Sequence, residues 1–540
     1  MRVTQPSLFF EQARSWVTGI SIAVLGFGIS ISRSISDGRA GAELTFDDVS
    51  YINSGLQAAR SIRQTGLVQV IPDLLQSPPH APVLHLIATM ASLLGEPSAQ
   101  RVYFSNAVFL TFLTLVAVRL ASGARWSYCL AITGFFLASP WGFFSFDQFR
   151  PDPAYAIGIA ILSSSFVRYC LRSGSLAQCS TAFLLLLFLK PSVFPMTLVI
   201  SGSLVVLSVP FVLGRLLAET RTRDVQLSIC VLFFGLMTFS VYGLRMFIYS
   251  WSNTRGDLGY IWQEPSPWSA IHRSFDEGLA TVGWPLWIVL GSLPILTPMA
   301  IRTNRRESVI RITLYLGATI SLLPLLAWTR VGGVFFGIML LSPMTALAIG
   351  LMVEPFSRLR KHAIYRLYLK LLSNVGAMTL ICVSVLLLFA YLIPPVRWTP
   401  PGLFEPRRVN TRVFEAILTD CRDDPVCDGD FLNKGQLPPI FATGIAEISA
   451  SSLTWEAMSR GWNVNVQGVS LTQALEDITT SIPRYQYVVV TGPTARYVNP
   501  RYPVTNLQDE VAQLLETKFR WYRVDVPSLG TEYFVYRKTL

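Results

Sequence analysis

Long apolar runs separated by short polar segments fill most of the first 395 residues of the chain. A helix needs about 20 apolar residues to cross roughly 30 Å of hydrocarbon at 1.5 Å per residue. Read by this length, the runs predict eleven membrane-spanning helices. The predicted ranges are 15–36, 101–121, 126–146, 153–171, 175–189, 191–213, 225–248, 282–300, 311–328, 332–353 and 373–394.

The pattern changes in the tail, residues 396–540, where short β-prone segments replace the long apolar runs. PPIFATG, WNVNVQG, YQYVVVTG, FRWYRVDVP and EYFVYRK have the composition of strands. They alternate with helical stretches such as SLTQALEDITTSI and NLQDEVAQLLETK. We therefore predict a transmembrane domain over 1–395 and a small soluble α/β domain over 396–540. No glycine-rich loop follows these strands, which favours a lid, a stabiliser or an acceptor-docking module over a nucleotide site.

Composition agrees with a polytopic α-helical membrane protein. Hydrophobic residues make up 51% of the chain and charged residues only 14%, with a mean hydropathy of +0.45, whereas soluble domains carry about 25% charged residues. This excludes a disordered chain, a disulfide-stapled mini-protein and an ordinary cytosolic enzyme. The net charge of +11 lies between the apolar runs rather than in the tail, and no basic stretch alternates with aromatics. A nucleic-acid partner is therefore not expected.

Basic residues mark alternate connections between the predicted spans, as expected of cytoplasmic loops. This bias predicts a cytoplasmic N-terminus and, with eleven spans, an extracytoplasmic tail. The chain contains no Asn-x-Ser/Thr sequon, which favours a bacterial inner membrane over the endoplasmic reticulum. In the tail, Cys421 and Cys427 are six residues apart, and an oxidising compartment would allow them to form a disulfide.

The first outer loop, 37–100, carries two segments that are unlike the spans. VSYINSGLQAARSI is amphipathic. APVLHLIATMASLLG is apolar but too short to cross the bilayer comfortably, so it is interpreted as an interfacial or re-entrant helix.

Ionisable residues at the outer ends of the spans are the candidate functional groups, because placing them against hydrocarbon costs free energy. Each also has a structural explanation: an acid can cap a helix or tighten a turn, and a lone cation can snorkel. The candidates are Asp47, Asp48, Asp147, Arg150, Asp152, Lys190 and Arg330. Two carboxylates at one outer site, Asp47 and Asp48, and two isolated cations at others, Lys190 and Arg330, suggest a pocket that binds a lipid phosphate and activates a hydroxyl.

The order of these motifs resembles the GT-C integral-membrane glycosyltransferases, in particular the branch of aminoarabinose transferases and protein O-mannosyltransferases. The likeness covers roughly residues 10–350. It rests on an acidic pair before a tyrosine-bearing amphipathic helix, a Pro-Pro element with a juxtamembrane helix, an Arg-Pro-Asp turn, a Lys-Pro step and a late basic residue. In this chain the matching positions are 47–51, 78–80, 150–152, Lys190-Pro191 and Arg330.

The resemblance implies an inverting transfer from a polyprenyl-phosphate-linked sugar to a lipid, glycan or protein acceptor on the outer face. Asp47 or Asp48 would act as the general base, and the order within the pair is left open. The implied catalytic set is Asp47, Asp48 and Asp152. The implied contacts to the donor lipid phosphate or sugar are Tyr51, His80, Arg150, Lys190 and Arg330.

This reading requires no metal cofactor. As an alternative, Asp47, Asp48 and Asp152 together offer oxygen ligands for a divalent cation. Three other functions stay open at this stage: a lipid-linked saccharide flippase or transporter, an oligosaccharide ligase or polymerase, and a non-catalytic assembly or sensor protein.

Overall fold

The computed structural model describes residues 6–36, 39, 46–76, 81–218, 222–255, 263–358, 409–444, 448–469, 473–492, 503–526 and 532–539. Up to residue 358 the described chain is predominantly helical. The helices are α1 (Pro6–Ser36), α2 (Phe46–Thr65), α3 (Leu67–Gln76), α4 (Pro82–Leu93), α5 (Ala99–Ser122), α6 (Trp126–Ala138), α7 (Pro140–Phe146), α8 (Pro151–Cys170), α9 (Leu176–Leu189), α10 (Phe194–Ala218), α11 (Thr222–Arg255), α12 (Pro267–Gly291), α13 (Leu293–Thr303), α14 (Arg305–Thr329) and α15 (Val334–Arg358).

Helices occupy ten of the eleven predicted span ranges, and the range 373–394 lies outside the described residues. Within the described ranges, six helices are long and apolar enough to cross a membrane, and the bent pair α6–α7 raises this number to seven. These six are α1, α5, α10, α11, α14 and α15. These helices show that the chain is an integral membrane protein. The count of eleven spans stays a prediction.

Two predicted spans are not continuous helices. The range 126–146 bends by 77° between α6 and α7, because Ser139 is extended and Pro140 begins the next helix without an N–H to continue the first. The range 282–300 divides at Ser292, and Pro294 lies in the first turn of α13. Run length alone predicts neither break, since the flanking residues are as apolar as those of an intact span.

The segment 37–100, predicted to be the first outer loop, contains α2, α3 and α4. Gly55 of α2 packs directly on α4, where a Cβ atom would lie only 2.3 Å from that of Ala88. The predicted amphipathic stretch lies in α2 and the predicted short apolar piece forms α4. At 12 residues, α4 is too short to span.

The chain after residue 408 contains a five-stranded sheet and further helices. The strands are β1 (Ile440–Ala442), β2 (Val466–Gly468), β3 (Tyr487–Thr491), β4 (Tyr522–Val524) and β5 (Tyr533–Arg537), in the order β2-β1-β3-β5-β4. β1 is parallel to β2 and β3, and β5 is antiparallel to β3 and β4. The helices are α16 (Val409–Arg422), α17 (Pro425–Asp430), α18 (Ala450–Ser459), α19 (Leu475–Ser481) and α20 (Gln508–Thr517).

Both faces of this sheet are covered. Tyr487 and Val489 of β3 join one buried cluster, whereas Val488 and Val490 join another, as the alternation of side chains along a strand requires. Cys421 and Cys427 form a disulfide, with Cα atoms 5.2 Å apart, inside the first cluster.

Helix α18 packs on the first outer loop. The Asn53 side chain of α2 donates to the Ser451 carbonyl at 2.7 Å, and Arg60 donates to the carbonyl of Met458. Trp455 packs against the apolar cluster that contains Val49. The segment after residue 408 therefore supports the helix that carries the acidic pair.

Candidate active site

Asp48, in the first turn of α2, is fully buried and accepts four hydrogen bonds. Its Oδ1 accepts from Arg39 Nη1 at 3.0 Å and from Arg150 Nε at 3.2 Å. Its Oδ2 accepts from the Tyr103 hydroxyl at 2.8 Å and from the Phe149 backbone N–H at 3.0 Å. One carboxylate thereby joins α2, the segment before it, α5 and the turn before α8.

The charges around Asp48 keep it ionised. Burial by itself would raise the pKa of this carboxyl, but the Arg39 and Arg150 guanidinium groups and the N–H of Phe149 outweigh burial and hold the pKa below its ordinary value. Every donor to Asp48 is fixed by the fold. Asp48 therefore serves as a structural anchor with no oxygen left to accept a proton from a substrate.

A second buried carboxylate, Asp147, lies on the other side of Arg39. It accepts from the backbone N–H of Arg39 and, at 3.3 Å, from the hydroxyl of Ser34 at the end of α1. Asp147 thus fixes the backbone of residue 39, whose guanidinium bonds to Asp48. Burial raises the pKa of Asp147 to about 7, even though Arg39 acts in the opposite direction.

The raised pKa of Asp147 makes stability depend on pH. Between pH 6 and pH 8 the folded protein loses this proton, whereas the unfolded chain has already lost it, so stability falls as pH rises. With a folded pKa near 7 the loss is about 1.4 kcal/mol. We expect thermal unfolding monitored in detergent to show a lower Tm at pH 8 than at pH 6. Asp147→Asn should abolish this difference, and the exposed control Asp477→Asn should retain it; an unchanged pH dependence in Asp147→Asn would contradict the assignment.

Asp152 and Lys190 form an ion pair at the start of α8. Asp152 lies in the first turn of that helix, and Lys190 follows the last residue of α9. Both side chains are largely buried, with 8% and 14% of the side chain exposed. The pair fixes the Lys190 ammonium at the end of the bundle where Arg150 also lies, and it makes Asp152 a positioning residue.

Arg150 extends the site towards α15. Its guanidinium lies 5.2 Å from the centre of the Phe335 ring in a cation–π contact, and Phe335 belongs to the first turn of α15. The first turns of α2, α8 and α15 thus meet around one arginine.

Arg330 lies between α14 and α15 in a left-handed conformation with φ 53°. Its carbonyl accepts from the Glu264 N–H at 2.7 Å, and its Nη2 donates to the Gln263 side chain at 2.9 Å. None of the carboxylates that the structure describes pairs with this guanidinium. It therefore retains donors for an anion.

The remaining predicted residues are placed only in part. The side chain of Asp47 and the whole of His80 lie outside the described residues. Tyr51 packs against the apolar cluster around Val49, on the same helix as Asp48. A different histidine, His85 of α4, lies buried there, and its Nδ1 is 3.0 Å from the Ser54 hydroxyl.

The alternative oxygen-ligand site includes Asp47, whose side chain lies outside the described residues, so this site stays a prediction. In the described ranges, no three His, Cys, Asp or Glu side chains lie close enough together to hold a metal ion. The oxygens of Asp48 are occupied by four donors, and Asp152 pairs with Lys190.

An apolar cavity lies among α5–α8, α12 and α15. Its walls are aliphatic and aromatic apart from the hydroxyls of Thr114, Ser342 and Thr345. The cavity begins at Ile157, about 8 Å along α8 from Asp152 at 1.5 Å per residue.

Two residues of the network, Arg39 and Tyr103, are absent from the prediction. Asp147 is among the predicted candidate groups but not in the implied catalytic or donor-binding sets. Arg39 and Asp147 are charged residues next to a span, which is a usable signal. Tyr103 has no such signal, because it resembles any other aromatic residue of an apolar helix.

No protein-family model and no curated protein sequence matches the chain. Solved structures do. ArnT from Cupriavidus metallidurans in the apo state superposes with a TM-score of 0.53 at 12% identity, covering 96% of this chain and 97% of that chain. The same protein bound to undecaprenyl phosphate gives a TM-score of 0.52 at 12% identity, with the same coverage. The Archaeoglobus fulgidus oligosaccharyltransferase in the apo form reaches only 0.43 at 11% identity, covering 96% and 74%.

At this level of identity the likeness to ArnT establishes the fold. It extends over nearly the whole of both chains, including the part after residue 408. The chain therefore has the fold of the GT-C integral-membrane glycosyltransferases that its ordered motifs resemble.

Proposed function

We propose that this protein is an inverting glycosyltransferase that uses a polyprenyl-phosphate-linked sugar donor. The observation that carries the proposal is the meeting of two acid–base pairs, Asp48–Arg150 and Asp152–Lys190, at the first turn of α8. The structurally similar ArnT binds undecaprenyl phosphate, which supports the same class of donor here. The acceptor is a lipid, glycan or protein reached from the outer face.

Within this function, Asp47 takes the role of general base. Asp48 cannot hold it, because each of its oxygens already accepts two hydrogen bonds inside the fold. Asp47 lies next to it in the first turn of α2, so Asp48 fixes the turn that presents Asp47. The carboxylate of Asp47 accepts the proton of the acceptor hydroxyl as that oxygen attacks the anomeric carbon.

The leaving group is a lipid phosphate, so negative charge grows on its oxygens as the glycosidic bond breaks. Lys190, Arg150 and Arg330 are the cations that stabilise this charge, in a site where low water content strengthens each contact. No step in this scheme requires a metal ion.

Purified protein incubated with a radiolabelled polyprenyl-phosphate sugar tests the proposal. Transfer to an acceptor, with release of the polyprenyl phosphate and inversion at the anomeric carbon, is the expected result. Movement of intact donor across proteoliposomes without sugar transfer would support the flippase alternative instead. Joining of whole lipid-linked oligosaccharides would support a ligase or polymerase.

Arg330 provides a test of phosphate binding that leaves the buried ion pairs intact. Loss of one charge-assisted contact costs about 1.5–3 kcal/mol, so Arg330→Gln should weaken donor use by about 10- to 150-fold. Arg101→Gln is the matched control, because Arg101 lies near the start of α5 and, among the described residues, its guanidinium donates to the backbone carbonyl of Glu96. Unchanged apparent donor affinity in Arg330→Gln would remove this residue from the donor site.

A further inference from the structure

Three arginines gather at the end of the bundle opposite the candidate active site. Arg311 Nη1 donates to the carbonyl of Ala121 at 2.9 Å, and Arg119 lies in the same last turn of α5. Arg168 Nη1 lies 3.8 Å from where a Cβ atom on Gly123 would be. Arg168 is also within electrostatic reach of both other guanidinium groups.

Positive charge exceeds negative charge in this arginine cluster, defined as Arg119, Arg168 and Arg311. Arg311 pairs with Glu307 at 2.7 Å. Arg168 donates to the carbonyl of Ser173, and no carboxylate among the described residues pairs with it or with Arg119. Because like charges repel, an anion placed between these guanidinium groups would stabilise all three.

Arg119 has a buried hydrogen-bond donor that a ligand could satisfy. Its guanidinium lies 5.4 Å from the ring centre of Trp126, which holds its plane in position. Its Nη1 is buried and has no hydrogen-bond partner in the described parts of the chain. A buried donor without a partner costs free energy that an acceptor atom would recover.

The apolar cavity extends to the Arg311 end of this cluster. Ala121 lines it and carries the carbonyl that accepts from Arg311 Nη1. On α15 the lining residues end at Ile349, and a Cβ atom on the next residue, Gly350, would lie 2.7 Å from Arg311 Nη1. The Arg311 guanidinium and the hydrocarbon-lined space are therefore adjacent.

The cluster is remote from Asp48. Tyr103, which bonds to Asp48, and Arg119 both lie on α5, and their separation along that helix is about 24 Å at 1.5 Å per residue. The same separation of about 24 Å holds along α8 from Asp152 to Arg168. A ligand bound here does not take part in the sugar transfer proposed above.

We propose that the arginine cluster and the adjoining cavity bind an anionic phospholipid. The phosphate accepts hydrogen bonds from Arg119 and Arg168, and part of one acyl chain occupies the cavity. Guanidinium groups bind phosphate with paired, charge-assisted hydrogen bonds, and basic pockets between transmembrane helices recognise anionic headgroups. This inference does not depend on the proposed transferase activity.

Native mass spectrometry of the detergent-purified protein tests the site with dioleoyl phosphatidylglycerol and dioleoyl phosphatidylcholine. The wild type should retain dioleoyl phosphatidylglycerol in preference to dioleoyl phosphatidylcholine. Arg168→Gln and Arg119→Gln should each weaken that binding tenfold or more. Arg306→Gln removes the same charge from an exposed position at this end of the bundle and should leave the binding unchanged.

Two further measurements use only the wild type, so they hold even if a variant fails to fold. Dihexanoyl phosphatidylglycerol, with the same headgroup and short chains, should bind more weakly than the dioleoyl lipid. Millimolar inorganic phosphate should leave the dioleoyl lipid bound. Equal retention of both dioleoyl lipids, release by phosphate, preferential replacement by undecaprenyl phosphate, or an equal loss in Arg306→Gln would each overturn the proposal.

Discussion

Replacing Asp47 by Asn should reduce sugar transfer by about 10²- to 10⁴-fold while the protein melts as the wild type does. The amide cannot accept the proton of the acceptor hydroxyl, and general-base catalysis contributes an effect of this size. Asn caps a helix about as well as Asp, so α2 keeps its first turn. The measurement is single-turnover transfer with saturating donor, alongside thermal unfolding of the same preparation.

The result separates catalysis from capping. Near-normal transfer in Asp47→Asn would show that this carboxylate is only a cap and that the base lies elsewhere. Lower transfer together with a lower Tm would assign Asp47 to the structure instead.

Asp48→Asn should instead lower the free energy of unfolding by about 3–5 kcal/mol. Transfer should fall only because less of the protein is folded. All four partners of Asp48 are donors in the structure, and two of them are guanidinium groups. An amide presents its own N–H groups to some of these donors and leaves Arg39 and Arg150 without the buried charge that neutralises them. Thermal unfolding measured at several detergent concentrations checks this.

The exposed control Asp477→Asn should melt as the wild type does. If Asp48→Asn unfolds at the wild-type temperature yet loses transfer, the roles within the acidic pair are reversed. The two aspartates therefore give a paired test in which each variant reports a different quantity.

The membrane helices could be predicted because the thickness of the hydrocarbon core fixes the length of an apolar run that spans it. For the same reason α4 is expected to be too short to span. Run length does not predict the bend before Pro140, since a proline in an apolar run is compatible with a kinked span as well as with a broken one. The five strands fall within the predicted segments because short runs of β-branched and aromatic residues, bounded by glycine and proline, are typical of strands.

For the site, the sequence predicts the candidate residues but not their contacts. The sequence indicates that Asp48, Arg150, Asp152 and Lys190 are unusual for their surroundings, but not which ones pair. Asp48 and Tyr103 are 55 positions apart, and their contact depends on how α2 packs against α5. Burial decides the role of Asp48, and burial depends on the whole fold rather than on the local pattern.

The contact between α2 and α18 has a consequence for the order in which the protein is made. Asn53 and Arg60 find their backbone partners on a helix that is synthesised nearly 400 residues later. Throughout translation, the helix bearing the acidic pair lacks Trp455 and both of these hydrogen bonds. Ribosomes must therefore deliver almost the entire chain before the acidic helix acquires its final support, so a partly inserted nascent chain holds the candidate active site in an incompletely packed state.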